Sequence, residues 1–287
     1  MKHISVLSLF VFVFLSLHGQ DKRLFHIPET ILDSASLIVT YNLQYQQDST
    51  NSKDIREEQM LLLIGDSISV FMSKNQAFND SLRSALTNKY YHSQNIDMYR
   101  LERRSNRLLS RFRYYIYKHH DTNSINVMDM VLTDWYNYSE PLNTMQWDLK
   151  EETEKKQEYI EGFRVTKATT NFGGRNWIAW FTPEITVSEG PYKFSGLPGL
   201  ILKLQDEDEQ YSFTLSAITR PIHKKPIYKY EFDNILQTNK KQFFEVNENF
   251  RQSFIIHARE AQLAPESQRI ASENMRRRNN PIELKPD

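Results

Sequence analysis

The chain has 287 residues, 36 basic and 36 acidic side chains, no cysteine, and a mean hydropathy of −0.62. The balanced charge argues against nucleic acid as a partner, because nucleic-acid-binding domains are usually strongly basic. Without cysteine, disulfides and thiolate metal sites are excluded, so a stable fold must depend on a hydrophobic core.

The N-terminal residues have the layout of a secretory signal peptide. Met1, Lys2 and His3 form a short basic start, residues 4–17 are almost wholly apolar, and polar residues follow. We expect cleavage after Gly19 and export to the periplasm or the extracellular space. An uncleaved anchor helix is the alternative, but this apolar run is shorter than the ~20 residues that a membrane span needs.

Residues 20–287 are predicted to form a single domain that begins with strands and helices in turn. Strict alternation of apolar residues predicts a strand over 37–45. The segment 60–71 is typical of a hairpin that turns at Gly65 and Asp66. Apolar spacings of three and four then predict helices over 78–90 and 98–112.

The rest of the chain alternates strand signals with short connections until a C-terminal helical region. Strands are predicted over 114–117, 127–132, 146–153, 162–171, 176–182, 199–204 and 211–219. Helical periodicity resumes near Thr238 and continues to Asn280. The predicted fold class is α+β, with a large, curved, half-barrel-like antiparallel sheet and packed amphipathic helices.

Five of the eight glycines lie between residues 173 and 199. Gly173 and Gly174 predict a two-residue hairpin turn, and Pro198-Gly199 predicts a type II turn that leads into a strand. Two interpretations remain open: a tight corner that closes a curved sheet, or a rigid loop that binds a ligand. The loop interpretation makes binding candidates of Tyr192, Gly196, Leu197, Pro198, Gly199 and Leu200.

Three stretches of the sequence resemble the GLPGLI family, which is named after the motif at 196–201. They are WDLKEETEKKQEYIEGFRVTKATTNFGGRNWIAWFTPEI (147–185), GPYKFSGLPGLILKLQDEDEQYSF (190–213) and NPIEL (280–284). The resemblance implies an exported, periplasmic protein of Bacteroidota, associated with outer-membrane transport or envelope systems. It implies no reaction. Val165 stands where the family often has a cysteine.

The segment RNWIAWF (175–181) carries large apolar groups on both of its faces. A strand of this kind is buried on both sides or lines a groove. In the groove interpretation, Arg175, Trp177 and Trp180 are candidates for binding a lipid, peptide or glycan.

Four arginines, Arg100, Arg104, Arg107 and Arg111, repeat at helical spacing. Aligned guanidinium groups bind phosphates well, for example those of an anionic glycolipid. The solvated face of an amphipathic helix is the alternative explanation.

Signals for metal binding and catalysis are weak. His119, His120 and Asp121 are adjacent rather than spaced as metal ligands usually are, and the acidic run 206–209 is typical of a solvated hairpin tip. No recognised catalytic motif is present, and Ser195 with Lys193 is a poor basis for a dyad.

The sequence therefore predicts a non-catalytic binding protein with no cofactor or metal. Its expected partners are an envelope lipid, a peptide or an outer-membrane transport protein, with no nucleic acid and no membrane-spanning segment in the mature chain. The alternatives are an envelope hydrolase that uses unidentified carboxylates, and a purely structural partner protein.

Overall fold

The computed structural model describes residues 29–91, 93, 95–149, 157–232 and 234–286. The predicted signal peptide lies outside these residues. None of the helices in the described part of the chain combines the length and the apolar character needed to cross a membrane.

Fifteen strands and four helices follow one another in the described residues. The first half contains β1 (Glu29–Ala35), β2 (Leu37–Gln46), β3 (Ile55–Ile64), β4 (Ile68–Ser73), α1 (Lys74–Tyr90), α2 (Ile96–Asn106), β5 (Tyr115–His119), β6 (Ser124–Val131), β7 (Asp134–Pro141) and β8 (Asp148–Leu149). The second half contains β9 (Glu158–Ile160), β10 (Phe163–Phe172), β11 (Arg175–Thr182), β12 (Leu200–Asp206), β13 (Tyr211–Thr219), β14 (Lys225–Tyr230), β15 (Ile235–Gln237), α3 (Lys240–Glu260) and α4 (Pro265–Arg276).

Thirteen of the strands form one large sheet in the order β15-β7-β6-β5-β4-β3-β2-β13-β12-β11-β10-β8, with β9 also paired to β10. All of its pairs are antiparallel except β15 with β7. The path ends at β15 and β8, so the sheet is open. Strands β1 and β14 form a separate antiparallel pair. The predicted α+β class with a large, mainly antiparallel sheet is confirmed.

The sheet buries apolar side chains on both faces. On one face, Tyr41, Phe71 and Trp177 belong to the larger core, against which helix α3 packs. On the other face, Leu63 and Tyr117 belong to a smaller core that includes residues of β1 and β14. Successive residues of a strand point to opposite faces, so the continuous apolar run in β3 supplies both cores.

Two predicted hairpin turns are present, but only one has the predicted geometry. Gly173 and Gly174 join β10 to β11 with φ of +59° and +81°, as a two-residue turn of this type requires. The β3–β4 connection contains three residues, and Gly65 does not adopt a positive φ. A glycine is needed here because a side chain would not fit: a Cβ at Gly65 would lie 2.4 Å from a carboxylate oxygen of Asp33. That carboxylate accepts hydrogen bonds from the backbone of Ser67 and Ile68.

The predicted helix over 98–112 is wrong in its second half. Helix α2 ends at Asn106, and Arg107 is extended with φ −68° and ψ 132°. The segment that follows is held by α1, because the Leu108 N–H donates to the Asn79 side chain, which donates back to the Leu108 carbonyl. The Arg111 N–H donates to Glu58. These tertiary hydrogen bonds replace the helical ones that the periodicity predicted.

The C-terminal helical region is divided into two helices. Helix α3 ends at Glu260, and α4 begins at Pro265, a residue well suited to a first helical turn because it has no N–H to satisfy there. The predicted apolar face of α3 is confirmed in part, since Phe243, Val246 and Phe250 pack against the larger core.

Candidate functional site

The Gly196–Gly199 segment forms a tightly packed corner. The Gly199 N–H donates to the Leu197 carbonyl at 2.8 Å, and the φ of Gly199 is +153°, so the predicted type II turn is wrong. A Cβ on Gly199 would lie 2.1 Å from the carbonyl oxygen of Thr182. Leu197 is buried, whereas Gly196 and Pro198 are exposed. The close approach of two backbones therefore explains Gly199.

The loop before this corner carries a buried lysine into an ionic cluster. Lys193 is fully buried, and its Nζ lies 2.7 Å from Glu283 and in contact with Glu140. The Lys240 Nζ pairs with both carboxylates and lies 2.7 Å from Glu283 and 3.0 Å from Glu140. Burial opposes the charge of Lys193, but Glu283 and Glu140 outweigh it, so its pKa is raised. The Tyr192 hydroxyl donates to Glu283 at 2.6 Å.

Arg175 holds the C-terminal segment 280–286 against the sheet. Its Nη1 pairs with Asp206 at 2.9 Å. Its other nitrogens donate to the Asn280 side chain at 2.5 Å and to the carbonyls of Pro281 and Ile282 at 2.8 and 3.1 Å. Asp206, predicted to lie on a solvated tip, is therefore buried. Only a guanidinium offers this many fixed donors.

Replacing Arg175 by lysine should loosen the C-terminal segment. A single ammonium cannot reach Asp206 and the three C-terminal acceptors together, so we expect a loss of about 2–4 kcal/mol of stability. Hydrogen exchange of residues 280–286 should become faster than in the wild type. The matched control is Arg56→Lys, at an exposed ion pair with Asp54, which should leave this exchange unchanged. Unaltered protection in Arg175→Lys would contradict the assigned role.

A second buried ionic cluster joins the same loop to strand β5. Glu189 pairs with Lys118 at 2.8 Å and His120 at 2.7 Å, and it accepts a hydrogen bond from Ser69 at 2.5 Å. Burial favours its protonated form, but Lys118, His120 and Ser69 dominate and lower the pKa of Glu189 to about 2. His120, considered as a metal ligand from the sequence, is thus a partner of Glu189.

This depressed pKa predicts a loss of stability in acid. Glu189 contributes about 3 kcal/mol to the free energy of unfolding. This contribution is fully present above the ordinary pKa of 4.5 and is lost as the pH falls towards 2. Urea unfolding between about pH 6 and pH 2.5 should show the gap between wild type and Glu189→Gln narrowing below 4.5. For the exposed control Glu207→Gln, the difference in unfolding free energy from the wild type should stay the same across this pH range. A constant difference between wild type and Glu189→Gln would refute the assignment.

A cavity lies between the larger-core face of the sheet, helix α3 and the C-terminal segment, and we call it the cleft. Its volume is about 760 Å³. Its walls are rich in aromatic side chains: Phe112, Tyr114, Tyr138, Tyr192, Tyr211, Phe243 and Phe244. The sheet and α3 supply most of these side chains, and residues 281–284 form a further wall.

Two polar groups face the cleft without a tertiary hydrogen bond among the described residues. The Tyr114 hydroxyl is buried and has no partner there. The carboxylate of Asp129 accepts only from its neighbour, the Met130 N–H, at 2.7 Å. Burial raises the pKa of Asp129 to about 6, against the smaller opposing effect of that hydrogen bond and of Arg113. Both groups are free to meet a ligand.

Most residues singled out from the sequence lie away from the cleft. Trp177 is fully buried in the core, and its indole N–H donates to the Phe172 carbonyl. Trp180 lies on the other face of its strand, beneath Lys203, and donates to Glu158 at 2.9 Å. Neither tryptophan lines the cleft, whereas Tyr192 does. The residues that line the cleft include none from the strand Arg175–Thr182.

The predicted arginine stripe is broken, because Arg107 and Arg111 lie beyond the end of α2. Arg100 and Arg104 remain on the helix and are exposed. The apolar side chains of Met98 and Leu101 on this helix are 39% and 57% exposed, and the buried residue of the helix is Tyr99. Of the four arginines, Arg111 lines the cleft.

The sequence reasoning missed Tyr114, Asp129, Tyr138 and Phe243 as residues of one site. The aromatic richness of 112–117 was the available signal, but it did not show which side chains face a cavity. Within the described residues, no group of three or more histidine, aspartate or glutamate side chains is placed to hold a metal ion.

Residues 132–203 match a family described as "Protein of unknown function (Porph_ging)". That range runs from the start of β7 into β12 and includes the Gly196–Gly199 corner. No curated protein matches the chain significantly. Solved structures of PNGF-II in two crystal forms are 12% identical, with TM-scores of 0.47 and 0.48. They cover 76% and 75% of this chain, which spans only 34% and 33% of theirs.

Proposed function

We propose that the protein is an exported binding protein of the cell envelope whose cleft holds an apolar or extended ligand without transforming it. The observation that carries this proposal is the aromatic cleft of about 760 Å³, a volume within the range of ligand-binding cavities. The signal-peptide pattern at 1–19 and the resemblance to the GLPGLI family support export to the periplasm or extracellular space.

The arrangement of the walls suits binding more than turnover. Aromatic rings offer large apolar area with few rotatable bonds, so little side-chain entropy is lost when a ligand is bound. The cleft wall formed by residues 281–284 is held by Arg175 and Lys193, so it is ordered before any ligand arrives. Pre-organised walls of this kind favour affinity.

Native mass spectrometry of the protein purified from its own envelope, with extraction and identification of bound molecules, tests the proposal. Asn247→Trp, at the rim of the cleft, should displace the ligand, whereas Gln252→Trp, elsewhere on α3, should not. A lipid or peptide retained by wild type and Gln252→Trp alone supports the proposal. A ligand-free monomer contradicts it, and a co-purified envelope protein favours a role in protein assembly.

One observation favours the alternative of an envelope hydrolase. Asp129 faces the cleft with a pKa raised to about 6, as expected for a general acid near neutral pH. The carboxylates of Glu248 and Glu283 in the same cleft form ion pairs with Arg251 and Lys193. If the cleft is catalytic, Asp129→Asn should abolish turnover of an envelope substrate while its binding persists. Turnover unchanged in Asp129→Asn would exclude this mechanism.

A further inference from the structure

A smaller cavity of about 430 Å³ adjoins the cleft, and we call it the arginine pocket. The two cavities share wall residues, including Phe112, Asp129 and Tyr211. A ligand of sufficient length can therefore occupy both. The two cavities differ in charge. The cleft is lined by equal numbers of basic and acidic side chains, whereas basic side chains outnumber acidic ones in the pocket.

The described wall of the arginine pocket carries four arginines and one carboxylate. The arginines are Arg111, Arg113, Arg251 and Arg278, and the carboxylate is Asp129. Such an excess of positive charge around one concavity attracts anions. Guanidinium groups bind carboxylate and phosphate oxygens in pairs, which adds geometric selectivity to the attraction.

Three of these arginines have no ion pair among the described residues. Arg113 has one side-chain contact of hydrogen-bonding type, to the Met130 sulfur at 4.0 Å. No carboxylate lies within ion-pair distance of Arg111 or Arg278 in the part of the chain that the structure describes. Burial, followed by the charges of Arg111 and Arg113, lowers the pKa of Arg278. The cluster is electrostatically unfavourable as it stands, and an anion would relieve the repulsion.

The neighbouring cleft supplies a complementary environment. Tyr114 is only 7% exposed, and its hydroxyl has no partner in the described structure. A buried hydroxyl without a hydrogen bond is costly, so this group points to a ligand that supplies an acceptor. Tyr138, Phe243 and Phe112 surround the rest of the volume with apolar surface.

Building on the binding function proposed above, we propose that the ligand is an amphiphile with one acyl chain and an anionic carboxylate or phosphate headgroup. The headgroup lies in the arginine pocket, on Arg111, Arg113 and Arg278. The acyl chain extends into the cleft along Phe112 and Phe243. The Tyr114 hydroxyl donates to an oxygen at the head of the chain. A concavity with an excess of positive charge in one part and aromatic walls in the other fits such a molecule.

Calorimetric titration of the full chain with matched probes tests this assignment. Dodecyl phosphate and dodecanoate are anionic amphiphiles, and dodecyl maltoside is a neutral amphiphile with the same length of alkyl chain. Inorganic phosphate represents the headgroup alone. At about 0.15 M salt and below micelle formation, both anionic amphiphiles should bind at least about tenfold more tightly than the maltoside. The double variant Arg113→Gln/Arg278→Gln should lose this preference, whereas Arg100→Gln/Arg104→Gln on α2 should keep it.

The outcomes separate this inference from the proposed function. Equal binding of dodecyl phosphate and dodecyl maltoside overturns the anionic headgroup but leaves a binding cleft. Inorganic phosphate that binds as tightly as dodecyl phosphate overturns the amphiphile and identifies a site for a free anion. No binding of any probe counts against the anionic amphiphile, and a ligand-free protein in native mass spectrometry then counts against the cleft itself. Thermal unfolding of each variant confirms that it is folded.

Discussion

Gly199→Ala is expected to destabilise the protein by about 2–6 kcal/mol. The methyl group would lie 2.1 Å from the Thr182 carbonyl oxygen and 3.0 Å from Pro183, both backbone atoms that cannot rotate away. Forced displacement of packed backbone costs about 1–3 kcal/mol, and the φ of +153° adds strain of about 1–3 kcal/mol for any residue with a Cβ. Urea unfolding of the purified variant measures the sum.

Gly162→Ala and Gly196→Ala are the matched controls. Both glycines have positive φ, +83° and +94°, but an added Cβ meets nothing within 4 Å at Gly162 and only Trp147, at 3.6 Å, at Gly196. Each control should therefore cost only the strain of about 1–2 kcal/mol. If Gly199→Ala were no more damaging than these two, the close approach to Thr182 would not be the reason for the glycine.

Lys193→Met is expected to cost about 3–5 kcal/mol, because it leaves buried carboxylates without one of their two counter-charges. Glu283 and Glu140 would retain Lys240 alone. Although burial favours the neutral form of Glu283, Lys193 and Lys240 hold its pKa below the usual range. The loss should appear as a lower urea midpoint at neutral pH.

The pH dependence of this variant provides a second readout. In the wild type, the charged Glu283 adds to the free energy of unfolding above pH 4.5, its ordinary pKa. This contribution is lost as the pH falls through the lowered pKa of Glu283. In Lys193→Met that pKa rises, so protonation relieves the unpaired charge at a higher pH. The stability gap between the two proteins should therefore narrow below 4.5. The control Lys167→Met, at an exposed pair with Glu158, should cost at most about 1 kcal/mol. A gap that widens in acid would contradict the assigned pairing.

The two predictions concern the same part of the architecture. Gly199 allows the corner after β11 to pack closely, and Lys193, in the loop just before it, reaches Glu283 of the C-terminal segment. That segment forms a wall of the cleft. Variants that retain enough stability to be purified should therefore bind the amphiphile probes more weakly than their controls do.

Local sequence patterns determined much of the secondary structure of this protein. The alternation over 37–45 and the Gly173-Gly174 turn each arise from neighbouring residues, and both are present as predicted. The mainly antiparallel sheet followed from short connections between strands. Periodicity failed at 107–112, where hydrogen bonds to Asn79 and Glu58, from other elements, outweigh the helical pattern.

Only the tertiary structure decided the order of the strands and the position of the cleft. Strand β13 pairs with β2, and β15 runs parallel to β7, although each pair is far apart in the chain. The cleft combines residues from strands β5 and β6, from the loop that carries Tyr192, from α3 and from the C-terminal segment. Gly199 itself is explained by Thr182, a contact that turn propensity does not include. Periodicity reports which face of an element is buried, whereas a site between elements depends on pairings that are set by the packing of the whole chain.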